Sequence, residues 1–361
     1  MKKILITGAG GPAGVNFCKS LGISGEDFYL VGTDINEYHL HLMEVNKQYK
    51  TPRADDPKYL EFLQGIIEKE KIDLVHPQPD IEVKYIGKYR NQLNCKTFLP
   101  NQLTIANCQD KEFTALYLRL NKIPAPRTLP IIKYNKEEII LDNLNKKNLK
   151  MFLENLGIPV WVRATHGAGG RGSTIAYNYQ TILNWCKYWI NREFKWDFMV
   201  QQYLPGRNIG FHSLWKNGNL IVSMARERIE YIYPYLSPSG ITGTPVVQRT
   251  IHNSEVNEIA TQAIKTIDPK YTGVACVDLK EDKEGVPNIT EINPGRFFTT
   301  SFFFSRAGLN FPYIYVKTAL GEEDKLGYIT QYNGLPEDFY WIRHIDCNAK
   351  LLRNGQQIGK M

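Results

Sequence analysis

The first hundred residues alternate short apolar runs with amphipathic stretches, and no other property of the chain restricts its fold so strongly. Ile4-Leu5-Ile6-Thr7, Tyr29-Leu30-Val31-Gly32-Thr33-Asp34 and Asp73-Leu74-Val75-His76-Pro77 read as strands. Residues 15–21 and 59–69 read as helices, the second with Leu60, Leu63, Ile66 and Ile67 at helical spacing. Strands that alternate with helices pair in parallel, and the helices cover both faces of their sheet. The spacing therefore predicts an α/β unit over residues 1–100.

The texture then changes. Residues 107–120 read as a helix with Asn107 as N-cap and Phe113, Leu116, Tyr117 and Leu120 on one face. The Lys/Asn-rich stretch 133–150 reads as helix and linker. From Val160 onward the pattern is one of hairpins, with strands near 161–163, 174–177, 198–203, 211–215, 220–228, 273–280 and 286–293. This part is expected to be α+β and mostly antiparallel. The expected units are 1–100, 101–195, 196–325 and a C-terminal extension, 326–361.

At 361 residues, 43% hydrophobic and 22% charged, the chain can bury two or three cores, and a disordered tail is excluded. No apolar run approaches the ~18–20 residues of a membrane span. Glycines at 8, 10, 11 and 14 interrupt the first apolar run too early for a secretion signal. Six cysteines without a CxxC pair suit the reduced thiols of a cytoplasm better than disulfides or zinc. The formal charge of +7 is spread among acids with no basic block. Neither a nucleic acid nor a membrane is therefore an expected partner, and a small anion is.

Three segments carry chemistry. Gly8-Ala9-Gly10-Gly11-Pro12-Ala13-Gly14 followed by Asp34 fits a dinucleotide fingerprint, or a tight strand-to-helix turn and nothing more. His166-Gly167-Ala168-Gly169-Gly170-Arg171-Gly172-Ser173 lies between two strands and lacks the Gly-Lys-Ser/Thr ending, which excludes a Walker loop. So many glycines, with Arg163 at their base, suit a flap whose bare amides close over phosphate oxygens. In the last hairpin, Glu291 and Asn293 share a strand face. Folding about Glu284-Gly285 sets Asp278 opposite Glu291. Two carboxylates and an amide oxygen at one spot suit magnesium that bridges to phosphates.

A glycine flap, a hairpin that ends Glu-x-Asn-Pro, and the upstream Asp110-Lys111 pair together resemble the ATP-grasp superfamily, over residues 1 to about 325. Within it the chain is most similar to the carbamoyl-phosphate synthase large-chain branch and its carboxylate–amine ligase relatives. The resemblance implies a Rossmann-like pre-ATP-grasp domain, followed by a two-subdomain ATP-grasp fold. It implies ATP and Mg2+ as cofactors, with Asp278, Glu291 and Asn293 as metal ligands. Lys111, Arg163 and the flap glycines Gly167, Gly169, Gly170 and Gly172 would meet the phosphates. The hinge residues Gln201, Gln202, Tyr203 and Leu204 would meet adenine and ribose. Arg296, Arg226 and Arg228 would face the transferred phosphoryl group and the substrate carboxylate. Three positions depart from the pattern: Gln202 stands where Glu is usual, Asn208 where a second Glu is frequent, and Gly295 is an extra residue before Arg296.

The activity this implies is carboxylate–amine, or carboxylate–thiol, ligation through an acyl phosphate, by a chain that can pair as a homodimer. The alternatives are an ATP-grasp kinase, a carboxyphosphate-forming enzyme, a nucleotide-sensing binding protein, and an NAD(P)-dependent oxidoreductase that uses the first glycine turn. Outside these segments, Asp80 and Glu82 are substrate-site candidates beside His76. Tyr231, Tyr233 and Tyr235 read as a half-buried strand, and Phe297, Phe298, Phe302, Phe303 and Phe304 as core.

Overall fold

The computed structural model describes residues 1–132, 134–135, 138–139, 143–167, 170–192, 196–345 and 347–358. Its N-terminal unit is a five-stranded parallel sheet in the order Lys47–Lys50, Phe28–Asp34, Lys2–Thr7, Leu74–Pro77, Lys96–Thr97. The three apolar runs legible in the sequence are the central strands, buried on both faces by helices. The two outer strands are short and carry no apolar pattern.

The glycine turn after the first strand serves packing. A Cβ on Gly10 would lie 2.3 Å from the carbonyl oxygen of His39, and one on Gly14 would lie 2.6 Å from that of Gly8. Asp34 accepts the Asn36 amide at 3.0 Å and stands 3.6 Å from His39 Nδ1. Residues 36–39 thus crowd the glycine turn and engage the acid that follows it.

The remainder is antiparallel. A four-stranded sheet runs Thr174–Ala176, Val160–Ala164, Phe198–Gln202, Thr128–Ile132. An eight-stranded sheet runs Pro287–Pro294, Gly273–Glu281, Asn208–Lys216, Asn219–Tyr231, Pro245–Ile251, Phe339–His344, Cys347–Arg353, Gln356–Gln357. One face of the large sheet shares a core with the parallel unit, where Ile4, Ile6 and Phe17 meet Leu214, Met224 and Phe297. Its other face packs on helix Ser254–Ile267. The small sheet has a core of its own around Val162, Ile182, Cys186 and Val200. No helix among the described residues is long and apolar enough to cross a membrane.

Two local expectations change. Residues 102–120 form two helices, Gln102–Gln109 and Lys111–Leu120, because the Asp110 carboxylate accepts the Glu112 and Phe113 amides, each at 3.0 Å, and starts a new helix. The second helix buries Thr114, Ala115 and Leu118 and turns Leu116 and Leu120 outward. The strand expected across Tyr231, Tyr233 and Tyr235 ends at Tyr231. Tyr233 has left-handed backbone geometry, and Tyr235 is exposed. Phe297, Phe298, Phe303 and Phe304 are buried, and Phe302 is partly buried.

Candidate active site

A cleft of about 1080 Å³ opens between the two antiparallel sheets and the C-terminal edge of the parallel one. The last hairpin forms its floor. Asp278 stands directly opposite Glu291 in the ladder, and Asn293 is opposite Cys276. The pairing then shifts to Leu279 with Ile289, leaving Thr290 as a bulge whose hydroxyl donates to the Asp278 carbonyl at 3.1 Å. The bulge thus lies immediately beside the acidic pair.

Each acidic or amide side chain of this floor is held by a cation. Arg163 Nη2 donates to Glu291 Oε2 at 2.8 Å, and its Nη1 to the Thr290 carbonyl at 3.2 Å. Lys111 Nζ lies 3.8 Å from the same Glu291 oxygen and donates to the Gly167 carbonyl at 2.7 Å. Burial alone would push the Glu291 carboxyl up; Lys111 and Arg163 reverse this and hold it at about 2. Burial lowers Lys111, against the pull of Glu291. Arg228 pairs with Asp278, while Arg296 pairs with Asp80 and donates to Asn293 Oδ1. Gly295 has φ +71°, a turn that only glycine makes easily, and Arg296 follows it into the cleft.

The flap lies over this floor. Gly167, Gly170 and Gly172 all have positive φ. A Cβ on Gly170 would lie 2.5 Å from the Ile241 carbonyl oxygen, so the flap rests against the 232–244 connection. Gly167 and Gly170 line the cleft. Gly172 faces the Trp196 ring instead, 3.1 Å from where its Cβ would be, and its carbonyl accepts from Trp185 Nε1 at 3.0 Å. Gly169 lies outside the described residues. At the far end Gln201, Gln202, Tyr203 and Leu204 line the wall, with Gln202 Oε1 accepting the Arg127 amide at 3.4 Å.

Of the secondary candidates, Asp80 reaches the cleft and Glu82 does not; it is buried against Tyr59. His76 is fully buried and stacked on Phe17 with ring centroids 4.3 Å apart, so it is a core residue. The structure adds Trp161, His212 and Lys280 to the lining. Trp161 was within reach of strand alternation, being two residues before Arg163. His212 carries no local signal, because its partners Cys276 and Arg226 come from other strands. Among the described residues no group of three His, Cys, Asp or Glu side chains converges. The floor offers two carboxylates and one amide.

A model of the ATP-grasp domain matches residues 108–300. A D-alanine–D-alanine ligase of Buchnera aphidicola subsp. Baizongia pistaciae (strain Bp) is 28% identical over 197 residues, 51% of this chain and 60% of that ligase. The match therefore spans less than two thirds of that relative's length. The biotin carboxylase domain of Hydrogenobacter thermophilus 2-oxoglutarate carboxylase, solved as a dimer with MgADP, ADP and bicarbonate, superposes with TM-score 0.69 at 16% identity, over 94% of this chain and 73% of that one. An L-amino acid ligase from Bacillus licheniformis gives TM-score 0.68 at 14% identity, over 94% and 79%. N5-carboxyaminoimidazole synthetase from Staphylococcus aureus, complexed with ADP, gives 0.67 at 16%, over 94% and 82%. At such identities these likenesses show the fold, and the domain match, which spans over half the sequence, shows the kinship: the chain belongs to the ATP-grasp family and has the enzyme fold of its ligases.

Proposed function

We propose that this chain is an ATP-dependent carboxylate–amine ligase of the carbamoyl-phosphate-synthase-like branch, working through an acyl phosphate. The observation that supports this reading best is the Asp278–Glu291 pair beneath a glycine flap, with Lys111 and Arg163 on one side and Arg228 and Arg296 on the other. Adenine would lie along residues 201–204, and the triphosphate would run under the flap.

The oxygens of Asp278, Glu291 and Asn293 fit a hard cation such as magnesium. They converge on one strand pair, and they are held here by guanidinium groups that a metal-nucleotide complex can replace. When bound, the metal would supply positive charge against the triphosphate. Lys111, Arg163 and the flap amides neutralise the rest in a site already organised for it. Arg228 and Arg296 would orient the substrate carboxylate. One carboxylate oxygen attacks the γ-phosphorus, the bond to the bridging oxygen breaks, and ADP leaves with that electron pair. The amine then attacks the acyl carbon, phosphate departs, the nitrogen loses a proton, and an amide remains. No side-chain nucleophile is required.

The test is ADP release with ATP, Mg2+ and panels of acids and amines. Glu291→Gln is expected to lower turnover by about 10²–10³-fold. An unchanged rate, or no calorimetric binding of adenine nucleotide with or without Mg2+, overturns the reading. A stable phosphorylated product formed without any amine would make the enzyme a kinase. A homodimer is part of the reading, and sedimentation velocity checks it.

A further inference from the structure

Arg226 lines the cleft from the middle of the large sheet and is only 2% exposed. Its Nε donates to His212 Nε2 at 3.1 Å, and its Nη1 to Thr300 Oγ1 at 2.9 Å. Its guanidinium carbon lies 4.0 Å from the Phe298 ring centroid. Because His212 accepts at Nε2, its proton is on Nδ1, which faces Cys276 Sγ at 3.0 Å. Thr300 is fixed in turn by Gln248 at 3.0 Å. Every one of these partners is neutral.

Among the described residues no carboxylate lies within ion-pair distance of Arg226, although Arg228 is paired with Asp278 and Arg296 with Asp80. A buried guanidinium cannot shed its proton, and leaving it without a counter-ion is costly. The imbalance extends along the cleft, which among the described residues eight lysines and arginines line against three carboxylates. All three of those carboxylates are already paired. The sheet makes room for this arrangement at Gly210, which pairs with both Arg226 and Asp278. A Cβ there would lie 3.1 Å from Arg228 Nη2 and 3.5 Å from Arg226 Nε.

Arg226 and Arg228 project from the same strand face, two residues and about 6–7 Å apart. Arg228 pairs with Asp278 through its side chain, and Arg226 stands level with Asp278 across Gly210 but outside ion-pair distance of it. Building on the ligase reading above, we infer that the acid substrate carries a second anionic group, a carboxylate or a phosphate, received by Arg226 while its reacting carboxylate lies against Arg228 and Arg296. The substrate class is a dicarboxylic or phosphocarboxylic acid. A zwitterionic amino acid is disfavoured, since its ammonium would find no unpaired acid among the described lining residues.

The experiment is calorimetry on the full chain loaded with Mg2+ and a non-hydrolysable ATP analogue. It is titrated with a length-matched series: valerate, glutarate, δ-aminovalerate and phosphonobutyrate. Glutarate or phosphonobutyrate is expected to bind at least about tenfold tighter than valerate, with δ-aminovalerate the weakest. Whichever dianion binds tighter identifies the second group as carboxylate or phosphate. Arg226→Met is expected to erase the preference, and Arg226→Lys to keep part of it. If the analogue binds but the dianions gain nothing over valerate, or the zwitterion binds best, this inference alone is overturned. If the analogue does not bind, the ligase reading falls and this inference falls with it.

Discussion

Glu82 is 3% exposed, accepts from Tyr59 Oη at 3.0 Å, and is pushed by burial from an ordinary 4.5 up to about 7. The unfolded chain loses this proton first, so the folded state loses stability as pH rises from about 4.5 to about 7 and then levels off. Glutamine removes the charge without removing the acceptor. Urea unfolding of Glu82→Gln at pH 4.5 and pH 8 should show its advantage over the parent growing by up to about 3 kcal/mol between the two. Single residues also mark where the sequence could and could not be read. The residue types of the floor suffice to suggest their chemistry, because a Glu and an Asn two positions apart that face an Asp across a hairpin have few other uses. The crowding of Gly10 by His39 is invisible in one dimension, since a glycine that admits a phosphate and one that admits a neighbouring carbonyl look alike. Arg226 gains its significance from what is missing around it, which no residue pattern records.

At the scale of elements, the helix Lys111–Leu120 depends on Asp110, and its first residue is the lysine that reaches Glu291. Asp110→Ala is expected to cost about 1 kcal/mol in chemical denaturation and to raise the nucleotide Kd several-fold by loosening Lys111; Asp110→Asn, which keeps the cap, should restore both. Here apolar spacing misleads: Leu116 and Leu120 lie at helical intervals yet face outward, and the smaller Thr114 and Ala115 are buried. The hairpin behaves differently. Counting about a symmetric turn places Asp278 against Glu291, as observed. The actual turn is one residue shorter in its pairing, and the Thr290 bulge restores the register at the acidic pair. The strands of 339–357 contain no signal that would assign them to this sheet rather than to a separate unit.

At the scale of the molecule, Lys317 ties the helix Phe311–Leu320 to the parallel unit. Its side chain is fully buried, and its Nζ donates to Glu26 at 2.8 Å and to Glu322 at 2.5 Å. Lys317 and Lys325 hold Glu322 down to about 2, and Glu26 is lowered chiefly by Lys317. Their contribution is complete above about pH 4.5 and lost as pH falls toward 2. Lys317→Met should cost about 2 kcal/mol at neutral pH, below the value for a wholly buried pair because Glu26 stays a third exposed, and should flatten the acid limb of a thermal-unfolding profile. The small sheet shares no apolar cluster with this assembly among the described residues. Hydrogen exchange with and without an ATP analogue should therefore show protection gained at 160–176 and little change in the parallel sheet.

That separation of cores also bears on how such a molecule diversifies. Substitutions that repack the small sheet stay within it, so the jaw that would cover the nucleotide can drift, or be exchanged for a relative's, while the arginine row that would choose the acid keeps its geometry.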